Sequence, residues 1–331
     1  RLSQEPVEVH PGQDFSLTAL EGTVYDKFYD PQGILVDPTV DKKRLAARIS
    51  GQTGHHTFFV LVEQEEMKWW QPVNVNIKQE MMPAVLPFTH VKADSCEPID
   101  ITSAFNAAVT DIYRNEYLSP RSPYTTLQLP KQGIGEWCHP TLTADIDDSG
   151  MRALVCDGLL STNLGVSFRT PEKGNNIAFT SLWDNYPDSL SIPLTGRASR
   201  AYLLMAGSTN HMQCHIVNGV VRVHYADGTA ETLELVNPEN WCPIEQDFYV
   251  DGMAFRLQSP RPYRLHLKSG LVSNNLEKDL NITGVYGRPI DGGAGILLDM
   301  PLNPDKDLKR ITLETVSNDV VIGLMGITLQ K

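Results

Sequence analysis

The stretch "HIVNGVVRVHYADGTAETLEL", residues 215–235, places the strongest constraint on the fold of this chain. Apolar and polar residues alternate along it, and a period of two is typical of a β-strand with one buried face. Asn218-Gly219 and Asp227-Gly228 are dipeptides that supply the positive φ angles of tight hairpin turns. The stretch therefore predicts two hairpins that join three antiparallel strands.

Similar patterns recur along the chain and indicate an all-β fold. Residues 44–50, 55–62 and 68–77 are rich in β-branched and aromatic residues, and residues 308–329 contain further strand patterns. Many short strands with one helical segment indicate a sandwich or jelly roll and argue against a β-α-β architecture.

The chain divides at the prolines of "MMPAVLP", residues 81–87. We predict a small immunoglobulin-like β-sandwich over 1–85, a connector over 86–140 packed on the second domain, and a larger β-sandwich over 141–331. Residues 98–117 predict one helix in the connector, because an apolar stripe follows a candidate cap. The cap is Thr102 or Ser103, and the stripe consists of Phe105, Val109, Ile112 and Tyr113.

Composition excludes several classes of partner. The chain has 331 residues and a formal net charge of −12, which argues against nucleic acid and anionic membrane surfaces. No apolar run approaches the roughly 18 residues of a membrane-spanning helix. Five cysteines without CxxC spacing indicate neither a disulfide framework nor a zinc site.

The loop "WDNYP", residues 183–187, is the main ligand-binding candidate. It connects two alternating segments at an end of the predicted sandwich, where binding loops commonly lie. Rings can stack on the C–H face of a sugar while carboxylate and amide groups bind its hydroxyls. The candidate ligand-binding residues are Trp183, Asp184, Asn185 and Tyr186. The alternative is that the aromatic side chains anchor the turn in the core, since large aromatic residues are mostly buried.

The motif "DIDDSG", residues 145–150, resembles the first half of a calcium-binding loop. The twelfth position should carry a bidentate Glu, but Cys156 stands there, so the helix-loop-helix version fails. A looser structural calcium site would use Asp147 and Asp148 as ligands. The alternative is an ordinary polar turn.

Enzyme signatures are absent from the sequence: it contains no G-x-S-x-G elbow, no Walker loop and no G-x-G-x-x-G motif. A glycosidase would need two carboxyl groups on either side of the scissile bond. Candidates for such a pair are Glu136, Asp147, Asp148 and Asp251, and sequence spacing cannot select among them.

Trp69 and Trp70 are adjacent in a predicted strand, so their side chains should point to opposite faces. One ring should therefore be inside and the other exposed. Exposed aromatic rings favour interfaces, so a contact with a neighbouring domain is one interpretation and a ligand platform is the other.

Three segments carry a resemblance to known proteins: "SIPLTGRASRAYLLMAGSTN", "VHYADGTAETLEL" and "LKRITLETVSNDVVIGLMGITL". With them, the second domain resembles galactose-binding-like β-sandwiches, which are accessory modules of bacterial glycoside hydrolases. The segment 117–138, followed by "IDDSGMRA" and "WDNYP", is similar to the C-terminal part of large glycoside-hydrolase-like proteins of polysaccharide-utilisation systems.

The resemblance implies a non-catalytic accessory region that packs on a catalytic domain and binds a polysaccharide or oligosaccharide. It also implies a periplasmic or extracellular location. The sequence begins with Arg, so we expect that either a signal or a larger part was removed upstream. The resemblance implies that a catalytic domain of the same polypeptide lies there. Two other hypotheses stay open: a structural or protein-interaction scaffold, and a self-contained hydrolase that uses a carboxylate pair.

Overall fold

The computed structural model describes residues 6–50, 54–77, 88–115, 117–119, 122–126, 144–183, 185–209, 213–248, 257, 259–283 and 288–331. The chain forms two compact units, unit 1 over Arg1–Pro83 and unit 2 over Ala84–Lys331. Almost all regular structure in the described residues is β-strand, so the prediction of an all-β sandwich fold is confirmed.

Unit 1 consists of two facing sheets with one apolar core between them. The four-stranded sheet has the order β1-β7-β6-β3 and the three-stranded sheet has the order β2-β5-β4. Phe58 and Val60 from the first sheet meet Phe15 and Leu45 from the second. The strands are β1 (Val7–Val9), β2 (Asp14–Thr18), β3 (Val24–Tyr29), β4 (Leu35–Val40), β5 (Arg44–Ile49), β6 (Gly54–Gln64) and β7 (Met67–Ile77).

Unit 2 contains a seven-stranded sheet, β14-β23-β16-β21-β19-β20 with β8 paired to β23, and a four-stranded sheet, β15-β22-β17-β18. The described part of this unit also contains two short helices, α1 (Ser149–Ala153) and α2 (Leu276–Asp279). The strands are β8 (Cys96–Ile99), β9 (Leu118–Ser119), β10 (Ser122–Thr126), β11 (Val155–Cys156), β12 (Leu159–Ser161), β13 (Ser167–Arg169), β14 (Ala178–Ser181), β15 (Ser189–Pro193), β16 (Arg200–Thr209), β17 (Val217–Tyr225), β18 (Ala230–Val236), β19 (Tyr263–His266), β20 (Val272–Ser273), β21 (Ala294–Pro301), β22 (Leu308–Thr315) and β23 (Val320–Gln330).

The seven-stranded sheet is buried on both faces. Leu203 and Ile322 pack in the core toward the four-stranded sheet, whereas Tyr202 and Val321 pack in a second core on the other face. Residues of the connector and of β11 to β13 cover that second face. All eleven residues of β23 are therefore buried, which explains its nearly continuous apolar sequence.

The predicted connector helix is replaced by two 3-10 turns, Thr102–Ala104 and Val109–Asp111. The predicted apolar stripe is buried, but its residues enter two different cores: Phe105 lies in one, and the rest of the stripe lies in the other. Asn106 exchanges side-chain hydrogen bonds with the backbone of Phe179. A single helix would point the whole stripe in one direction and would break this strand-like pairing, so the extended form is favoured.

The two predicted hairpin turns have different outcomes. Asp227 and Gly228 lie in the turn between β17 and β18, and Gly228 has a φ of 89°. Asn218-Gly219 is no turn, because both residues belong to β17.

Packing rather than turn geometry explains the residues at 218 and 219. A Cβ atom on Gly219 would lie 2.0 Å from Cδ1 of Ile322, so this position in β17 has room only for glycine. The buried Asn218 side chain accepts a hydrogen bond from Thr209 and donates to the carbonyls of Gln213 and Ile216. This dipeptide is typical of turns, but here Gly219 permits a close contact between strands and Asn218 belongs to a buried hydrogen-bond network.

Candidate functional site

The WDNYP loop joins β14 to β15, as the sequence predicted, but its rings face the core. Trp183 and Tyr186 are each 8% exposed and belong to the core that covers the seven-stranded sheet. The ring of Tyr186 lies 5.0 Å from that of Phe179, and its hydroxyl accepts a hydrogen bond from Asn115 at 2.6 Å. The ring faces are therefore used in packing.

The other two candidate residues of this loop have different positions. Asn185 is exposed, and Asp184 lies outside the described residues. A ligand-binding role for the loop stays a prediction. In this arrangement it would depend on the polar side chains at 184 and 185, because the rings at 183 and 186 have no free face to stack on a sugar.

The DIDDSG loop contacts three other segments of unit 2, near residues 171–176, 267 and 292. Ile146 forms a bridge with Gly292, and the backbone N–H of Asp147 donates to the carbonyl of Gly292 at 3.0 Å. The hydroxyl and the backbone N–H of Ser149 hold the pKa of Asp147 below its usual range. This carboxylate closes a local turn before α1.

Asp148 is buried and holds two neighbouring segments together. Its Oδ2 accepts from Arg152 Nε and from Asn176 Nδ2, both at 2.8 Å. The same guanidinium donates to the carbonyls of Pro171 and Gly174. The calcium hypothesis made this carboxylate a ligand of a metal ion. In the structure it forms an ion pair with Arg152 instead. Among the described residues, no group of three or more His, Cys, Asp or Glu side chains is placed to hold a metal ion.

Gly150 lets the DIDDSG loop contact the segment 266–271. A Cβ atom at position 150 would lie 2.1 Å from the carbonyl oxygen of Lys268, which is far inside contact distance. The adjacent Met151 N–H donates to the carbonyl of Leu267 at 2.8 Å, and the Leu267 N–H donates to Gly293 at 2.9 Å. Three loops are thus bound to each other through their backbones.

We expect Gly150→Ala to lower the free energy of unfolding of unit 2 by about 1–3 kcal/mol, because the added methyl group must push the Lys268 backbone away. Urea denaturation measures this change. Ser149→Ala is the matched control, since the Ser149 side chain is exposed, and it should shift the midpoint less. Equal midpoints for wild type and Gly150→Ala would contradict this tight packing.

A cavity of about 400 Å³ lies next to these loops. One part of its wall is apolar, from Leu280, Ile282 and Pro289, and the rest is polar. The full lining consists of His266, Leu280, Asn281, Ile282, Thr283, Pro289, Ile290 and Asp291. Its volume lies within the range of small-molecule sites, which is about 300–1,000 Å³.

The segment after α2 positions the polar side chains of this cavity. The Asn275 side chain caps α2 by accepting from the Lys278 N–H at 3.2 Å, and the chain then reverses through Asn281, which has a φ of 52°. Leu276 and Ile290 pack together beneath this turn. Asparagine tolerates the left-handed conformation after a helix better than most residues, which explains its presence at 281.

His266 and Asp291, which also line the cavity, take part in hydrogen bonds and an ion pair. His266 is buried, and its Nδ1 and Nε2 lie 2.7 Å from Ser269 Oγ and from the Asp291 carbonyl oxygen, respectively. Lys268 Nζ lies 2.6 Å from Asp291 Oδ2, so the acidic group is neutralised locally. The lining thus combines polar groups of little net charge with apolar side chains.

The carboxylate pair of the hydrolase hypothesis is not assembled by the described residues alone. Glu136 and Asp251 lie outside the described residues, and Asp148 is bound by Arg152. Asp147 and Asp148 are adjacent in the chain, but each accepts its own set of hydrogen bonds.

Comparisons with known proteins give no family. No family model matches the chain, and no curated protein matches it. Among solved structures, it is similar to a calcium-binding mutant of Bacteroides uniformis beta-glucuronidase 2, with a TM-score of 0.22, 9% identity, and coverage of 98% of this chain and 29% of that chain. A Bacteroides uniformis beta-glucuronidase has a TM-score of 0.21, 8% identity, and coverage of 98% and 28%.

A SusE-like protein has a TM-score of 0.22 and 12% identity, with 98% of this chain and 94% of that chain covered. The chain spans less than a third of the length of the two glucuronidases. Likenesses at this level carry no argument about function. None of the helices in the described part of the chain has the length and apolar character needed to cross a lipid bilayer.

Proposed function

We propose that this chain is a non-catalytic accessory region of a carbohydrate-active protein and that unit 2 binds an oligosaccharide in the cavity beside the DIDDSG loop. The observation that carries the proposal is the composition of that cavity. The apolar side chains of Leu280 and Ile282 line it together with the amide, hydroxyl and carboxylate groups of Asn281, Thr283 and Asp291.

A sugar ring matches this combination because it has an apolar C–H face and a rim of hydroxyls. The apolar wall would contact the C–H face, and the Asn281 amide and Thr283 hydroxyl can both donate to and accept from hydroxyls. The Lys268–Asp291 ion pair leaves little net charge at the rim, which favours an uncharged ligand. Ligand sites commonly combine an apolar lining with a few fixed polar groups.

The proposal also includes a catalytic partner domain and a cellular location. A catalytic domain elsewhere in the same polypeptide would act on the polysaccharide that unit 2 holds, and the protein would work in the periplasm or outside the cell. The galactose-binding-like character of the larger sandwich belongs to this proposal. The scaffold hypothesis predicts no glycan binding, so titration with oligosaccharides separates it from the proposed function.

We expect Asn281→Gly to weaken oligosaccharide binding by about fivefold to tenfold, since it removes an amide but keeps the positive φ. Isothermal titration with a panel of neutral oligosaccharides measures the affinity. Asn274→Gly is the matched control, because Asn274 is exposed nearby and does not line the cavity, and it should keep wild-type affinity. If no oligosaccharide of the panel binds the folded chain, the scaffold hypothesis is preferred.

A further inference from the structure

The outer face of the four-stranded sheet in unit 1 carries a group of exposed rings. On β6, Phe58, Val60 and Val62 point into the core, so the alternate residues point outward. The pairing of β3, β6 and β7 places six outward residues side by side in two rows. We call them the aromatic face: Tyr29, Phe59 and Pro72 in one row, and Lys27, Leu61 and Trp70 in the next.

The sequence predicted that one of the two adjacent tryptophans would be inside, but both are exposed, Trp69 to 37% and Trp70 to 45%. Strands β6 and β7 have eleven residues each, whereas the strands of the opposing sheet have five or six. The end of this hairpin therefore lacks a full layer opposite its inner side. Trp69 lies there beside Val62, and Trp70 belongs to the aromatic face.

Two rings of the aromatic face are stacked on each other, and a lysine lies over the third. The rings of Tyr29 and Phe59 lie 6.3 Å apart with an angle of 26° between their planes, and Tyr29 is 58% exposed. Lys27 Nζ lies 5.9 Å from the ring centre of Trp70. Neighbouring strands are about 4.8 Å apart, so each row of three residues spans roughly 10 Å across the strands. This footprint suits two linked pyranose rings.

The charges around the aromatic face are balanced. Glu63 and Lys68 form the next outward pair toward the hairpin end, and their side chains make an ion pair with each other. Lys27 packs over a ring, although the chain as a whole has a net charge of −12. Polar side chains at Thr57 and Asn74 continue the face at its other end and are hydrogen-bonded to each other. Among the described residues of this face, a strongly charged ligand would find no matching cluster of opposite charge.

We propose that the aromatic face binds a neutral polysaccharide, with successive sugar rings stacked on the Tyr29–Phe59 pair and on Trp70. Tyr29 and Trp70 are the most exposed rings of the face, and exposed rings offer the apolar contact that the C–H face of a pyranose ring requires. The balanced charge favours an uncharged chain over an acidic one. This site lies in unit 1 and does not depend on the cavity in unit 2.

Affinity electrophoresis of the full chain in gels that contain β-glucan, xyloglucan or galactomannan tests the proposal. We expect at least one of these polymers to retard the wild type, equally at low and high salt, because stacking on an uncharged chain is not screened. Tyr29→Ala and Trp70→Ala should each weaken the retardation about tenfold, roughly the effect of one lost stacking contact. Trp69→Ala is the matched control and should behave as wild type.

Three outcomes would overturn this inference. The first is that none of the neutral polymers retards the folded wild type. The second is that Trp69→Ala weakens binding as much as Trp70→Ala. The third is that Trp70→Ala changes only the oligomeric state in gel filtration, which would identify the face as a protein contact. Failure of the unit 2 site is distinguishable, because Tyr29→Ala and Trp70→Ala should weaken retardation in an Asn281→Gly background as much as they do in the wild type.

Discussion

Replacing Arg264 with leucine is expected to lower the free energy of unfolding of unit 2 by about 3–5 kcal/mol. Arg264 on β19 is only 1% exposed, and its guanidinium donates to the carbonyls of Gln246, Pro243 and Ala294 at 2.6, 3.0 and 2.8 Å. Leucine fills part of the space but leaves three buried carbonyls without these donors. Each such loss costs about 1–3 kcal/mol, so the effects add to a severe change.

Guanidinium chloride denaturation followed by intrinsic fluorescence measures the effect of Arg264→Leu. Arg197→Leu is the matched control, because Arg197 is exposed and pairs with the exposed Asp307 at 2.8 Å. Surface pairs of this kind contribute about 0–1 kcal/mol, so the control should unfold near the wild-type midpoint. Similar midpoints for both variants would show that the buried guanidinium does not stabilise the fold as its hydrogen bonds suggest.

The second large effect concerns pH and the buried carboxyl group of Glu245. Desolvation raises the pKa of Glu245 to about 7, although Tyr113 and Ser208 hydrogen-bond to its Oε2. The folded state therefore holds this proton more tightly than the unfolded chain does. Stability from this group is complete below pH 4.5 and is lost as pH rises through about 7. The full difference amounts to about 3 kcal/mol.

Glu245→Gln should remove this pH dependence, because the amide keeps the shape and an acceptor for Tyr113 but does not ionise. We expect the variant to be more stable than wild type at pH 8 and close to it at pH 4.5. Thermal unfolding across this pH range measures both proteins, and their difference isolates the one group from other titrations. A constant difference between the two proteins at every pH would mean that Glu245 does not titrate in this range.

The strand content of this chain is readable from local patterns, whereas the location of its polar turns is not. Asp227-Gly228 forms the turn that its sequence predicts, but Asn218-Gly219 has the same local signal and lies inside β17. What distinguishes them is Ile322, which is over 100 positions away and packs against Gly219. Local periodicity also found the buried stripe of the connector but could not reveal that it divides between two cores.

For the candidate site residues, too, contacts between distant parts of the chain decide what the local sequence cannot show. Trp183 and Tyr186 were correctly placed between two strands, yet only the fold determines whether a ring faces solvent or the core. The cavity combines His266 with residues 280–283 and 289–291, which are brought together by the tertiary structure. One local feature could have indicated part of this cavity: Asn281 directly follows a short capped helix, and the chain adopts a left-handed conformation there.

The pairing of β8 with β23 joins segments that are far apart in the chain, which affects the order in which unit 2 folds during synthesis. Near this pair the Lys92 N–H donates to the Gln330 side chain, and the two residues are 238 positions apart. Because β23 is also the central partner of β14 and β16, the seven-stranded sheet cannot close until the ribosome has released this strand. Contacts of such long sequence separation make folding slow. Until β23 is made, β8, β14 and one edge of β16 lack their partner, and unpaired strand edges of this kind make a partly synthesised chain prone to aggregation.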